Sequence, residues 1–169
     1  MIHGRFQPFH VGHLEYLRAA EAHCVGLVVG ITNADAGSSA FEAADPGRSA
    51  PEANPFTYAE RYAMIRAVLR DEGLDGALVV PFPVSRPELW PSYVPPGAVH
   101  FLRVFDAWGA EKVERLRREG HAVTVLECRQ KGISGSVVRD RWRTGSDWRA
   151  LVPPAVAEVI DARDLCHPA

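Results

Sequence analysis

Five stretches of the chain are short, apolar and rich in β-branched residues. Residues 25–32 (VGLVVGIT) form a nearly continuous apolar run, and residues 2–6, 77–82, 99–104 and 121–126 have a similar character. Continuous apolar runs of this length are typical of parallel strands that are buried on both faces of a sheet. The pattern therefore predicts a largely buried sheet of five strands.

Amphipathic stretches lie between these strands and predict helices. Apolar side chains recur at helical spacing, as for Leu14 and Leu17 in the first stretch and Ile65 and Leu69 in the second. The five predicted helices cover residues 11–24, 56–72, 110–119, 136–143 and 153–163. Alternating strands and helices with right-handed crossovers predict an α/β fold with a doubly wound parallel sheet. Ligands of such sheets bind beyond the carboxyl ends of the strands.

Two segments interrupt this alternation. Residues 33–54 are rich in Ala, Ser, Gly and Pro and show little periodicity, which predicts a flexible or functional loop. Residues 81–96 contain repeated prolines around Trp90 and cannot form one long helix. Residues 1–169 are accordingly predicted to form one domain, in which residues 145–169 are a short helical C-terminal segment.

The composition narrows the class of protein. The 169 residues are 47% hydrophobic and 24% charged, which is typical of a globular protein. No apolar run approaches the roughly 20 residues that span a bilayer, and residues 1–5 lack the apolar core of a signal peptide. The three cysteines form no C-x-x-C pair, which favours a reducing cytoplasm over a disulfide framework. The net charge of −2 disfavours a nucleic-acid binder.

A pair of histidines follows the first strand and opens the first helix. His10 and His13 are three residues apart, so both can project from one side of the helix N-terminus. Gly12 between them lets an anionic ligand approach the backbone. Unpaired N–H groups at a helix N-terminus favour phosphate, and the imidazoles add further donors. Arg5 and Gln7 on the same turn strengthen the prediction of a phosphate site.

A second polar turn begins the helix near the C-terminus. Ser134 or Ser136 can cap this helix, and Arg139 can fold back toward its start. Hydroxyls, exposed amides and a guanidinium fork together suit phosphate oxygens. A simple capped helix would be the ordinary interpretation of this turn alone. Combined with the histidine pair, it indicates a second part of one phosphate site.

The sequence GRFQPFHVGH at residues 4–13 resembles the signature of the HIGH-type nucleotidyltransferases, in particular the archaeal-type nicotinamide mononucleotide adenylyltransferases. The resemblance extends over nearly the whole chain, including residues 54–61, Trp90 and residues 146–160. It implies a Rossmann-like nucleotidyltransferase fold. Residues 133–139 resemble the I-S-x-S-x-x-R motif of that family, which implies that they bind the β- and γ-phosphates of a triphosphate.

The resemblance implies transfer of a nucleoside monophosphate from ATP or CTP, with release of pyrophosphate. The acceptor supplies the attacking oxygen, so catalysis depends on positioning and charge neutralisation. His10, His13 and Arg139 are the predicted catalytic residues. The predicted triphosphate-binding residues are Arg5, Gln7, Gly12, Ser134, Ser136 and Arg139. Mg²⁺ is expected to be held mainly by substrate phosphates, without a predicted protein ligand.

The acceptor side departs from the nicotinamide family. Residues 81–84 lack the Asp that the family has near the end of the third strand, and residues 100–108 lack its Asn. Loss of both partners for a buried amide disfavours nicotinamide mononucleotide. Cationic residues here suit a smaller and more anionic acceptor, such as a phosphonate. The predicted acceptor-binding residues are Trp90, Arg86, Arg103 and Arg129. For Arg129, contact with phosphate and membership of a solvated basic run stay open as alternatives.

Several alternatives stay open on sequence alone. The acceptor is either nicotinamide mononucleotide or a specialised phosphate or phosphonate, and the donor is either ATP or CTP. A non-catalytic nucleotide sensor on the same fold is the alternative function; an RNA-modifying enzyme is disfavoured by the small size. Expected partners are a nucleoside triphosphate and a small anionic acceptor, without nucleic acid or membrane. A homo-oligomer is also open, with Tyr58, Tyr62 and Phe105 either in its interface or in the core.

Overall fold

The computed structural model describes residues 1–34, 50–127 and 132–166, with side chains described up to residue 163. Within these residues the five predicted strands and five predicted α-helices occur in the predicted order, and no end differs from its prediction by more than three residues. The strands are β1 (Ile2–Gly4), β2 (Val28–Ile31), β3 (Leu78–Pro81), β4 (Val99–Leu102) and β5 (Ala122–Val125). The helices are α1 (Val11–Glu21), α2 (Tyr58–Asp71), α3 (Ala107–Arg118), α4 (Gly135–Arg143) and α5 (Pro154–Cys166).

Three short 3₁₀ helices lie in the connections, at Pro51–Ala53, Pro87–Ser92 and Arg149–Leu151. The second of these is the proline-rich segment around Trp90, so the prediction that it forms no long helix is confirmed. Most of the predicted 33–54 loop lies outside the described residues.

All strand pairs within the two described ladders are parallel. One ladder has the order β1-β2-β3 and the other pairs β4 with β5. The Met1 amino group donates to the Val99 carbonyl at 2.6 Å, and the Phe101 N–H donates to the Met1 carbonyl at 2.9 Å. These bonds place β4 beside β1 and give the overall order β3-β2-β1-β4-β5. The predicted doubly wound sheet is thus confirmed. Its topological switch point, where the strand order reverses, lies between β1 and β4.

The sheet separates two apolar layers. Ile2, Val29 and Ile31 face α1, α2 and α5 in the larger layer, which includes Leu17, Ile65 and Val156. The opposite face carries Met1, Phe82 and Leu102, which pack with Trp90 and with Leu116 of α3. Gly30 lies under this second layer, where an added Cβ would come within 2.6 Å of the Met1 methyl carbon and 2.9 Å of the Phe82 Cβ. Among the described residues, no helix is both long and apolar enough to cross a membrane.

Three histidines lie in this second layer and form what we call the histidine cluster: His3, His100 and His121. The ring centroids of His3 and His100 are 5.6 Å apart, and those of His100 and His121 are 5.0 Å apart. His100 is fully buried, and burial, followed by the charge of His121, lowers its pKa to about 3. Burial also lowers the pKa of His3 well below its usual 6.5. Both imidazoles are therefore neutral in the folded protein.

Acid is expected to destabilise the protein through these buried histidines. In the unfolded chain each binds a proton near pH 6.5, whereas folded His100 binds one only near pH 3. Between these two pH values the unfolded state binds more protons. The free energy of unfolding should therefore fall by up to about 1.4 kcal/mol per pH unit for each histidine as the pH drops. Urea unfolding between pH 7 and pH 4 measures this slope.

The matched variant His100→Phe removes one of these protonation sites and keeps an aromatic ring in the layer. Its unfolding free energy should fall less steeply with acid than that of the wild type. Equal slopes for the two proteins would show that His100 does not contribute to the acid sensitivity.

Candidate active site

A cleft of about 870 Å³ opens at the carboxyl edge of the sheet, next to the β1–β4 boundary. Its lining comes from the segments that follow β1, β3 and β4 and from the start of α4. One end contains the predicted phosphate-binding residues Arg5, Gln7, His10, Gly12, His13, Ser134, Ser136 and Arg139. Residues between 81 and 86 and between 102 and 112 also line the cleft, among them Arg86 and Arg103, and we call this part the acceptor end. Residues from both ends of the chain thus share one cavity.

The histidine pair has a defined geometry at the start of α1. The rings of His10 and His13 are stacked, with centroids 3.7 Å apart and planes 22° apart. The His10 backbone N–H donates to Nδ1 of His13 at 3.3 Å. Because Nδ1 of His13 accepts this bond, the proton of the neutral ring lies on Nε2. The rings of Phe6 and Phe9 pack against His13 at centroid distances of 4.9 and 5.4 Å and limit its movement.

The start of α4 lies directly against the loop that follows β1. Arg139 donates from Nη1 to the Gln7 carbonyl at 2.7 Å, across 132 positions of sequence. A Cβ added to Gly135 would lie 2.7 Å from the same carbonyl oxygen, so only glycine permits this approach. Ser134 is the N-cap residue of α4, and its hydroxyl lies 2.8 Å from that of Ser136. The two polar turns therefore form one continuous wall of the cleft.

Arg139 carries its charge into a buried position. It is 8% exposed, and burial, together with the charge of Arg143, lowers the pKa of its guanidinium. A guanidinium remains protonated under ordinary conditions even when its pKa is lowered. Arg139 therefore supplies a fixed positive charge at the phosphate end of the cleft.

The Gln7 side chain binds the protein backbone, whereas the sequence predicted that it binds the triphosphate. Its Nε2 donates to the Phe56 carbonyl at 2.8 Å, and its Oε1 accepts from the Phe56 N–H at 3.0 Å. The amide thus joins the loop after β1 to the segment before α2, and both of its polar atoms are occupied. This corrects the expectation that the Gln7 side chain binds the triphosphate.

Arg61 is a site residue whose role sequence reasoning missed. It is 2% exposed and donates to the carbonyls of Arg5 at 2.9 Å, Thr32 at 2.8 Å and Asn33 at 2.7 Å. These carbonyls follow β1 and β2 and belong to segments that line the cleft. Burial lowers the pKa of Arg61 to about 10, so it stays charged. In sequence Arg61 appeared only as part of the family-like segment 54–61 and received no role, because its acceptors come from distant segments.

The acceptor end of the cleft is cationic. Arg103 donates to the Gly12 carbonyl at 3.3 Å, lies 3.7 Å from the Glu15 carboxylate and packs over the Tyr16 ring. Arg86 forms an ion pair with the exposed side chain of Glu88. Lys112 of α3 also lines this end, and sequence reasoning did not select it. Lys112 is one of only two lysines in the sequence, which was the available signal.

Trp90 does not lie in the cleft. It is 1% exposed, packs against Phe82 at a centroid distance of 5.4 Å and donates its indole N–H to the Pro83 carbonyl at 2.9 Å. The ring is therefore part of the second apolar layer and cannot stack on an acceptor. This corrects the prediction that Trp90 binds the acceptor. Arg129, the remaining predicted acceptor residue, lies outside the described residues.

The aromatic residues considered for an interface have different positions. Tyr58 and Phe105 line the cleft, and Phe105 is 43% exposed. Tyr62 is 41% exposed on α2. Tyr58 is half-buried and packs against the larger apolar layer, whereas Tyr62 and Phe105 lie outside the core.

No group of three or more His, Cys, Asp or Glu side chains within the described parts of the chain has the arrangement of a metal site. The cleft lining contains two acidic side chains, Glu15 and Asp106. The Glu15 carboxylate lies 3.7 Å from Arg103, and the Asp106 carboxylate accepts a hydrogen bond from the Gly109 N–H. A divalent ion held by protein carboxylates alone does not fit this cleft, whereas one that enters on triphosphate oxygens does.

The fold and the shared cleft, together with the comparisons that follow, define the class of protein, which is a nucleotidyltransferase. The chain belongs to the cytidylyltransferase-like family, whose family model matches residues 1–141. The chain is 45% identical over 163 residues to a phosphonoformate cytidylyltransferase of Streptomyces viridochromogenes, covering 95% of this chain and 89% of the relative. It is 36% identical over 164 residues to a nicotinamide-nucleotide adenylyltransferase of Picrophilus torridus, with coverage of 95% and 89%.

A similar fold occurs in a solved structure. The bifunctional NMN adenylyltransferase/ADP ribose pyrophosphatase of Francisella tularensis, complexed with AMP and a manganese ion, superposes with a TM-score of 0.60 at 17% identity. The match covers 96% of this chain and 48% of that protein, so this chain corresponds to about half of the bifunctional enzyme. This similarity supports the fold alone.

Proposed function

We propose that the protein transfers CMP from CTP to a small, anionic phosphonate acceptor and releases pyrophosphate. The observation that carries this proposal is the acceptor end of the cleft, which is lined by Arg86, Arg103 and Lys112 while Trp90 is buried elsewhere. Three cationic side chains suit a compact anion better than a nicotinamide ring, whose pyridinium nitrogen is itself positively charged. The 45% identity to a phosphonoformate cytidylyltransferase supports the same class of acceptor.

The phosphate end of the cleft contains the hydrogen-bond donors and cationic side chains that this reaction needs. An oxygen of the acceptor attacks the α-phosphorus of CTP in line, a new P–O bond forms, and the bond to the β-phosphate oxygen breaks as pyrophosphate leaves. His10 and His13 donate hydrogen bonds to oxygens on which charge accumulates. Arg5, Ser134, Ser136 and Arg139 hold the triphosphate, and the backbone at Gly12 admits it closely. Mg²⁺ bound to the triphosphate oxygens would neutralise part of their charge.

The rest of the chain is proposed to support this single site. The ion pair of Arg163 with Glu60 at 2.7 Å and the packing of Val156 and Ile160 join α5 to the larger apolar layer. This supports the interpretation of residues 1–169 as one domain. Because the donor is a nucleoside triphosphate, we place the reaction in the cytoplasm.

Adenylyl transfer to nicotinamide mononucleotide is the second candidate function. Its support is the sequence GRFQPFHVGH, which resembles the signature of those enzymes, and the 36% identity to the Picrophilus torridus relative. A nucleotide sensor is the third, and it would bind a triphosphate without releasing pyrophosphate.

A pyrophosphate-release assay is expected to show activity with CTP and phosphonoformate in the presence of Mg²⁺. The donor panel contains ATP, CTP, GTP and UTP, and the acceptor panel contains phosphonoformate, methylphosphonate and nicotinamide mononucleotide. Reactions without acceptor are the control. Activity only with ATP and nicotinamide mononucleotide would replace the proposed function by the second candidate. CTP binding without pyrophosphate release from any pair would identify a sensor.

A further inference from the structure

Arg103, the first residue after β4, lies against one side of the first turns of α1. Its Nη1 donates to the Gly12 carbonyl at 3.3 Å, and its guanidinium carbon lies 5.7 Å from the centroid of the Tyr16 ring. The same Nη1 lies 3.7 Å from the Glu15 carboxylate. Positions three and four apart share one face of a helix, so these three residues of α1 form a continuous surface for the guanidinium. Arg103 is thereby held against the turn that carries His13.

Tyr16 anchors this contact between β4 and α1. Its ring is buried, and its hydroxyl donates to the carbonyl of Phe101, two positions before Arg103. Burial raises the pKa of the Tyr16 phenol, so the phenol keeps the proton for this bond. The packed fold therefore sets the position of the Arg103 guanidinium relative to α1. A cation fixed in this way loses little conformational freedom when it binds an anion.

The Arg103 guanidinium has hydrogen-bond donors left for a ligand. Arginine carries five N–H donors, of which one binds the Gly12 carbonyl, while the Glu15 carboxylate at 3.7 Å is beyond hydrogen-bond distance. Nε is buried and has no partner within the described residues, whereas the side chain as a whole is 17% exposed and lines the cleft. A ligand in the cleft is therefore reached through the Nη groups. Their N–H donors suit an oxyanion such as a phosphonate.

Glu15 is the anion that faces this cation in the protein itself. Its side chain is 69% exposed, and an exposed ion pair contributes little to stability. The other acidic side chain in the described lining, Asp106, is occupied as the N-cap residue of α3, where it accepts from the Gly109 N–H at 2.7 Å. Glu15 can therefore turn into solvent when another anion takes its place beside Arg103.

We propose that Arg103 binds an anionic oxygen of the acceptor and that Glu15 is its exchangeable counter-ion, which the acceptor displaces. This rests on the proposed function and deepens it. Because Glu15 competes for the same guanidinium, it lowers the affinity for the acceptor, and an acceptor without negative charge cannot displace it. Glu15 is a positioning residue in this scheme, since it acts through Arg103.

The test measures the KM of phosphonoformate at saturating CTP. Glu15→Gln should lower this KM about 3-fold, with kcat within about 2-fold of the wild type, because a weak competing ion pair is lost. Arg103→Met should raise it about 10-fold or more, because a charge-assisted hydrogen bond to the acceptor is lost. Arg103→Lys keeps the charge without the planar fork and should recover part of the loss. The KM of CTP should rise less than that of phosphonoformate in Arg103→Met.

The double variant Glu15→Gln/Arg103→Met separates the exchange from simple repulsion between Glu15 and the acceptor. If Glu15 acts through Arg103, its replacement should leave the KM of Arg103→Met unchanged. An equal decrease in both backgrounds would show repulsion alone and would overturn the exchange. Glu21→Gln is the matched control and should keep the wild-type KM, because Glu21 is exposed on the same helix and does not line the cleft.

An unchanged or higher KM in Glu15→Gln, or a wild-type KM in Arg103→Met, would overturn the inference while leaving the proposed function in place. Failure of the wild type to transfer CMP to any phosphonate would overturn the proposed function instead. In that case calorimetric titration of phosphonoformate into the wild type, Glu15→Gln and Arg103→Met decides the exchange. Tighter binding to Glu15→Gln together with weaker binding to Arg103→Met would support it, and equal or undetectable binding would overturn it.

Discussion

Replacement of His13 by alanine is expected to lower turnover about 100- to 1000-fold while the protein stays folded. The Nε2–H of His13 is directed by the hydrogen bond at Nδ1 and by the stacked ring of His10, so the donor is preorganised for charge that develops at the α-phosphate. Removal of one preorganised donor of this kind costs roughly 3–4 kcal/mol of barrier. The loss should appear in kcat, because the donor acts most strongly in the transition state.

Single-turnover pyrophosphate release with saturating CTP measures this effect. His13→Gln keeps a side-chain N–H and should recover part of the rate. His23→Ala is the matched control, because His23 is exposed at the end of α1 and does not line the cleft. A folded His13→Ala protein with near-normal kcat would show that the histidine pair has no catalytic role.

Substitution of Arg61 by methionine is expected to cause the largest loss of stability, about 3–5 kcal/mol. The change keeps an aliphatic chain in the buried position but leaves the carbonyls of Arg5, Thr32 and Asn33 without their donor. Each buried group that loses its partner costs about 1–3 kcal/mol. Since small domains are stable by only about 5–15 kcal/mol, the loss is a large part of the total. The affinity for CTP should fall as well, because these carbonyls belong to the cleft wall.

Arg66→Met provides the comparison on the same helix. Arg66 also donates to two backbone carbonyls, those of Asp75 and Ala77, but it lies away from the cleft. Urea unfolding and CTP titration of both variants separate the two contributions. A loss of stability in Arg61→Met no greater than that in Arg66→Met would contradict the role assigned to Arg61. Arg61→Lys should not restore stability, because an ammonium group cannot reach three carbonyls at once.

The positions of the strands and helices were predictable because they depend on local patterns. Apolar runs and helical spacing are properties of neighbouring residues, and the loop of residues 5–10 necessarily follows β1 and leads into α1. Once a parallel sheet is predicted, the carboxyl ends of its strands must meet at one edge. The meeting of the histidine pair with residues 134–139 in one cleft followed from this rule.

The direction and hydrogen bonding of individual side chains were not predictable in this way. Trp90 was expected at the acceptor, but the 3₁₀ helix Pro87–Ser92 turns its ring into the second apolar layer. The Gln7 amide was expected at the phosphates, but it binds the backbone of Phe56, 49 positions away. In both cases the competing partner is close in space and distant in sequence.

The sequence by itself determined the order of the elements, the α/β class and the two segments that are predicted to bind phosphate, since these follow from short-range periodicity and from residue types at fixed spacing. Only the tertiary structure decided which polar groups are occupied and which face the cleft. His13 and Lys112 belong to α1 and α3 and line one cleft because the sheet places β4, and with it α3, beside β1. Such neighbours are set by strand order and packing, which no local pattern encodes.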